Sequence, residues 1–124
     1  MQFEQLNAGH GSLTAVRTGA GSDLVLLHSL LADRFAFDPV LPALAAKHRV
    51  TLFNLPGFHG SQPCVLALMD AYIACIEDGF DEFGIANDAV LIGNGFGGTV
   101  ARAFALAHPE RIAKLVVSDA AACF

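Results

Sequence analysis

The residues that could do chemistry are densest at Gly93-Asn94-Gly95-Phe96-Gly97-Gly98. Four apolar residues, Ala89-Val90-Leu91-Ile92, run into this cluster, and Thr99-Val100-Ala101-Arg102 leads out of it. That succession predicts a buried parallel strand, a sharp turn and a helix start. Two chemistries use such a turn. In the pattern G-x-S-x-G the central serine is a nucleophile presented on a strained backbone. In G-x-G-x-x-G the backbone cradles a pyrophosphate. Gly93 and Gly97 fit the flanks of the first pattern, with Gly95 where the serine would stand. Gly93, Gly95 and Gly98 fit the second, with Asp119 as a ribose ligand somewhat beyond the usual interval of about 20 residues. A dinucleotide motif normally opens the first strand–helix unit, whereas here a hairpin and two strands precede it.

Other candidates each have an ordinary alternative. His28 follows the apolar run Leu24–Leu27 and could line a pocket; its ordinary role is hydrogen bonding to loop backbone. His108 precedes Pro109 after a predicted helix, where a cation is electrostatically favourable. Asp119 reads as a loop or capping residue. Ser61 and Ser118 offer hydroxyls with no general base in view, and His10 sits in a turn. Phe35, Phe37, Phe53, Phe58 and Phe96 read as core and pocket wall. Cys64, Cys75 and Cys123 are odd in number and lack C-x-x-C spacing, which predicts buried free thiols and neither metal nor redox chemistry. No metal or cofactor is expected.

Elements must position these residues. Gln2–Leu6 and Leu13–Arg17 alternate around the turn residues Asn7–Gly11, a hairpin. Leu24–Leu27 and Val50–Phe53 are short continuous apolar runs, read as central strands. Pro39–Lys47 carries a helical apolar face, with Pro39 suited to a first helical turn. Val65–Phe83 is apolar at Leu68, Tyr72, Ile76 and Phe80 and acidic at Glu77, Asp78 and Asp81, an amphipathic helix expected to be weakened at Gly79. Thr99–Ala107 is a further helix, closed by His108-Pro109, and Leu115–Ser118 a last parallel strand. The alternation predicts an α/β fold, a mostly parallel sheet with helices on both faces and an N-terminal antiparallel hairpin. A chain that is 54% hydrophobic and 15% charged has ample apolar surface for a core. Its formal charge of −5, with only seven Lys plus Arg, argues against a nucleic-acid surface. No basic run, signal segment or apolar stretch of about 18 residues is present, so no membrane association and a cytoplasmic location are expected.

Taken in order, the chain resembles the first half of the α/β-hydrolase superfamily, nearest to the 3-oxoadipate enol-lactonase-like branch. The resemblance is carried by Leu26-Leu27-His28-Ser29-Leu30, Asp38-Pro39-Val40-Leu41-Pro42-Ala43-Leu44, His48-Arg49-Val50 and Leu55-Pro56-Gly57. It continues through Gly93–Gly98, His108-Pro109-Glu110-Arg111-Ile112 and Leu115-Val116-Val117-Ser118-Asp119. It implies ester or lactone hydrolase ancestry, with the nucleophile-elbow position at Gly95. It implies oxyanion donors at the backbone N–H of Phe96 and from Ser29 or Leu30, beside a pocket that includes His28 and Asn94. A glycine offers no oxygen for acyl transfer, while backbone donors still attract an acyl compound or carboxylate. The expected domain is a partial one over residues 1–124, ending after the sixth strand, without the cap and the segment that carries the acid and histidine. An apolar last strand at a sheet edge invites a homodimer or a complementing chain.

Overall fold

The computed structural model describes residues 2–8, 13–28, 37–54 and 65–118. Strands β1 (Glu4–Ala8), β2 (Leu13–Thr18) and β3 (Ser22–Leu27) are followed by helix α1 (Leu41–Ala45) and strand β4 (His48–Asn54). Helix α2 (Val65–Glu82), strand β5 (Ala89–Asn94), helix α3 (Phe96–Ala107), a 3-10 turn at Pro109–Arg111 and strand β6 (Ile112–Ser118) complete the order. One sheet runs β1-β2-β4-β3-β5-β6. The pairs β1–β2 and β2–β4 are antiparallel, while β4–β3, β3–β5 and β5–β6 are parallel. The expected α/β architecture with its N-terminal hairpin is therefore observed.

Side-chain alternation explains the two cores. In β3, Leu24 and Leu26 face α1 with Val16, Val50 and Leu52, while Val25 and Leu27 face α2 and α3 with Leu13 and Phe53. A strand covered on both faces needs apolar residues at every position, which is why β3 reads as a continuous run and not as an alternation. Helices on both faces supply that cover.

Several elements differ from expectation. Strand β1 runs two residues later than Gln2–Leu6 and takes in Asn7, which was expected in the turn, and β6 begins at Ile112, three residues before Leu115. Helix α1 is five residues, shorter than the predicted Pro39–Lys47. Residues 37–40 instead form a tight turn, with the Val40 N–H donating to Phe37 O at 3.0 Å, and Pro42 takes the early helical position expected of Pro39. The helix ends because β4 begins at His48. Helix α3 starts at Phe96, three residues before the predicted Thr99, so the glycines belong to its first turn. Gly79 does not weaken α2. An added Cβ there would lie 2.7 Å from Leu13 Cδ2 and 2.9 Å from Phe53 Cε2. The missing side chain lets α2 press onto the sheet, where Phe53 meets Phe80 and Phe83 edge to face at 6.2 and 5.6 Å. That packing offsets the roughly 1 kcal/mol of helix propensity which glycine forfeits.

At the N-terminal ends of β3 and β4 a charged clamp ties the segment after α2 to the sheet. Asp23, 5% exposed, accepts Arg49 Nε at 2.6 Å and Nη2 at 2.9 Å, and the Ala86 N–H at 2.8 Å. Arg49 also donates to Gly84 O at 2.8 Å, and Arg17 to Phe83 O at 2.7 Å and Thr51 Oγ1 at 3.1 Å. Burial pushes the Asp23 carboxyl up, but the hydrogen bonds from Arg49 and Ala86 and the two nearby guanidiniums outweigh it and hold the group below its ordinary value. A depressed carboxylate stabilises the fold above its unfolded pKa, and that contribution is lost as pH falls through the folded value. The urea midpoint of wild type is therefore expected to exceed that of Asp23→Asn at pH 7. The gap should close as pH falls below about 4; a gap that persists undiminished at pH 2 would contradict this assignment.

Candidate functional site

The turn between β5 and α3 lies at the C-terminal ends of the parallel strands, where open α/β sheets bind ligands. Two glycines explain its compactness. A Cβ on Gly93 would stand 2.3 Å from Gly97 O and 2.7 Å from Gly98 Cα. A Cβ on Gly97 would stand 2.3 Å from the carbonyl oxygens of both Leu27 and His28. The first turn of α3 thus rests directly on the ends of β3 and β5, and only glycine permits that approach. These are contacts of protein with protein.

Gly95 is the N-cap of α3 at φ 60°, ψ −126°, a conformation that side-chain-bearing residues adopt only under strain. Its N–H donates to Ser118 O at 2.8 Å, and its carbonyl accepts the Gly98 N–H at 2.9 Å and the Thr99 N–H at 3.3 Å. Asn94, half-buried, accepts the Ser118 hydroxyl at Oδ1 over 3.1 Å. The Phe96 ring meets Tyr72 of α2 edge to face at 5.5 Å. His28 is 3% exposed, and its backbone carbonyl abuts Gly97. The structure therefore brings Gly95, Phe96, Asn94 and the His28 backbone to one end of the sheet.

Ser29 and Leu30 lie outside the described residues, as do Ser61, His10, Asp119, Phe35, Phe58, Cys64, Cys123 and the Leu68 side chain. Cys75, described and half-buried, has its thiol pushed up by burial and then by Asp78, which leaves it protonated and a poor nucleophile at neutral pH. His108 caps α3, its N–H donating to Phe104 O at 2.8 Å, and its ring sits between Glu77 at 3.5 Å and Glu110 at 3.6 Å. It joins α2 to the end of α3, away from the Gly95 turn. A cleft of about 790 Å³, bordered by Glu4, Arg17, Pro42 and Arg49, opens at the opposite end of the sheet. No group of three or more His, Cys, Asp or Glu among the described residues is placed to hold a metal ion.

Sequence reasoning missed two partners of the turn. Ser118 was expected to carry a free hydroxyl; it is bonded to Asn94, because Asn94 and Ser118 are register partners in the β5–β6 ladder. Tyr72 was expected only as part of an apolar helix face, yet it supports the residue that follows Gly95.

A family model described as alpha/beta hydrolase fold matches residues 24–123. Among curated relatives, a pimeloyl-[acyl-carrier protein] methyl ester esterase of Aeromonas hydrophila is 34% identical over 119 residues, covering 91% of this chain and 43% of that protein. A 2-hydroxy-6-oxononadienedioate/2-hydroxy-6-oxononatrienedioate hydrolase of Cupriavidus pinatubonensis is 36% identical over 107 residues, covering 81% of this chain and 37% of that protein. Among solved structures, Cfl2 of Burkholderia cenocepacia superposes with a TM-score of 0.80 at 25% identity, over 95% of this chain and 41% of that one. The naproxen esterase of Bacillus subtilis gives 0.78 at 24% identity over 92% and 41%, a likeness of fold. The chain thus spans about 40% of the length of these relatives.

The close approach at Gly97 is open to test. Gly97→Ala improves helix propensity by about 1 kcal/mol, but its methyl group meets two backbone oxygens that have nowhere to go. Net destabilisation of about 1–3 kcal/mol is expected from denaturant midpoints. A neutral or stabilising result would mean that α3 does not rest on β3 as described.

Proposed function

The chain belongs to the α/β-hydrolase fold family, and from that premise we propose that its β5–α3 turn is the family's nucleophile elbow with the nucleophile replaced by Gly95. One observation carries the reading: Gly95 stands at φ 60°, ψ −126° between strand and helix, and it has no side chain. The turn keeps the strained form that a presented serine requires, while the oxygen that would attack an acyl carbon is missing. An acyl-enzyme cannot form at this residue.

What remains is a binding site. The backbone N–H of Phe96, with a second donor from Ser29 or Leu30, forms an oxyanion hole at the start of α3, bordered by His28 and Asn94. Such donors favour a carbonyl or carboxylate oxygen, helped by the positive end of the helix dipole. The ligand class is an acyl compound or carboxylate, in keeping with relatives named for acyl esters and dicarboxylates. Among the described residues no helix is long and apolar enough to cross a membrane.

A chromogenic short-chain ester tests this. The chain is expected to show no turnover that a serine-directed inhibitor abolishes. Gly95→Ser should lower stability by about 1–3 kcal/mol, because a side chain is forced into the φ > 0 conformation. Inhibitor-sensitive turnover by the unaltered chain would overturn the proposal.

A second reading concerns β6. Leu115, Val116 and Val117 are 39%, 48% and 38% exposed, and they alternate between the two sides of the strand. This strand, an edge among the described residues, then carries partly exposed apolar side chains on both faces even though α3 packs against it, a pattern that favours pairing with another polypeptide strand. We propose association along β6, with a second copy or a complementing chain. Native mass spectrometry should detect the complex; a monomer persisting at high micromolar concentration without aggregation would dismiss it.

A further inference from the structure

Ser118 closes β6 and meets the Gly95 turn twice. Its carbonyl oxygen accepts the Gly95 N–H at 2.8 Å, and its hydroxyl donates to Asn94 Oδ1 at 3.1 Å. The first contact carries the ladder one step past the Asn94–Ser118 pair, into the turn itself. The second fastens the side chain of the residue immediately before Gly95. A glycine reaches φ 60° at no steric cost, but for the same reason it does not narrow the conformations open to it. The turn must therefore be held from outside. On the helix side the holders are the Gly98 and Thr99 N–H groups, both bonded to Gly95 O. On the strand side the holder is Ser118.

β6 is also the most exposed of the parallel strands: six of its seven residues are exposed, Ser118 among them. The turn is thus anchored on the least covered strand of the sheet. We infer that Ser118 is a positioning residue for the β5–α3 turn, holding Gly95 in its left-handed conformation and so fixing where the first N–H groups of α3 point. The functional weight of this inference rests on the binding reading above; its structural content does not.

Amide hydrogen exchange by NMR on the whole chain tests it. Ser118→Ala keeps the backbone carbonyl that accepts the Gly95 N–H and removes only the hydroxyl bond to Asn94. With the side-chain tether gone, exchange at Gly95 should speed roughly threefold to tenfold, the worth of that one net hydrogen bond. Leu91 at the centre of β5 should be unchanged. Ser118→Thr should restore the wild-type rate at Gly95. Asn94→Ala should reproduce the rise, and the double variant should add nothing to either single change, because the two groups act as one pair. Equal Gly95 exchange in wild type and Ser118→Ala overturns the inference. So does a rise at Leu91 as large as that at Gly95, which would report general loosening and not positioning. Tyr72 is the single tyrosine in a chain without tryptophan and packs on Phe96, so its emission reports on the turn. Titration with butyrate should change that emission in wild type. If it does not, the binding reading fails while the exchange rates still decide the role of Ser118.

Discussion

The contact between the first turn of α3 and the ends of β3 and β5 is what the rest of this structure depends on. Gly97 sits where any Cβ would enter two carbonyl oxygens, and Gly93 where one would enter the backbone of Gly97. With both glycines in place the helix axis drops onto the sheet, and Val100, Ala101 and Phe104 become fully buried. Phe104 then meets Phe80 of α2 at 4.9 Å, and Tyr72, two turns earlier on α2, reaches Phe96. One backbone contact therefore sets the seat of α3, the seat of α2 and the support of the residue after Gly95. Losing it would cost far more than the local clash.

The two ends of the sheet are built on different physics. At the N-terminal ends of β3 and β4, charged side chains reach over to backbone carbonyls and an N–H of residues 83–86. A buried carboxylate is tolerable there because a bidentate guanidinium and an N–H satisfy it, an arrangement costly to break and of modest worth against an apolar alternative. At the C-terminal ends the partners among the described residues are backbone groups, glycines, an asparagine and a serine. The first end is fastened by charged side chains, while the described part of the second presents its main chain.

Much of the fold was legible because strand and helix periods differ. Leu24–Leu27 and Val50–Phe53 announced strands covered on both faces, and Tyr72, Ile76 and Phe80 a helix face, and the structure bears these out. What was not legible depends on approach distances. Gly79 looked like a weak point because propensity is a local property, whereas its value lies in contact with Phe53 from a distant strand. The start of α3 was read three residues late because glycines resemble a loop until something presses against them. Of the candidate site, the turn and its glycine spacing were visible from residues 89–98 alone. The Ser118–Asn94 bond was not, since it depends on register between strands that the sequence does not align. Pro39 illustrates a third kind of miss: a proline suits a helix start, and Pro42 competed for the same role and took it.

On the proposed reading, the residue at position 95 separates the shape of a nucleophile elbow from its chemistry. A serine in this conformation would carry strain of order 1–3 kcal/mol that its surroundings must impose. Glycine removes the strain, so a turn whose form depended on residue 95 would be free to relax elsewhere. It has not relaxed: φ 60°, ψ −126° is retained, with bonds to Ser118, Gly98 and Thr99 on both sides. The conformation is therefore a property of the packing around Gly95 and not of the residue in it. A scaffold of that kind can lose its nucleophile without losing the arrangement of N–H groups beside it. Under the proposed reading binding outlasts chemistry at the same site, because backbone donors are fixed by the fold, whereas an attacking oxygen depends on a single side chain.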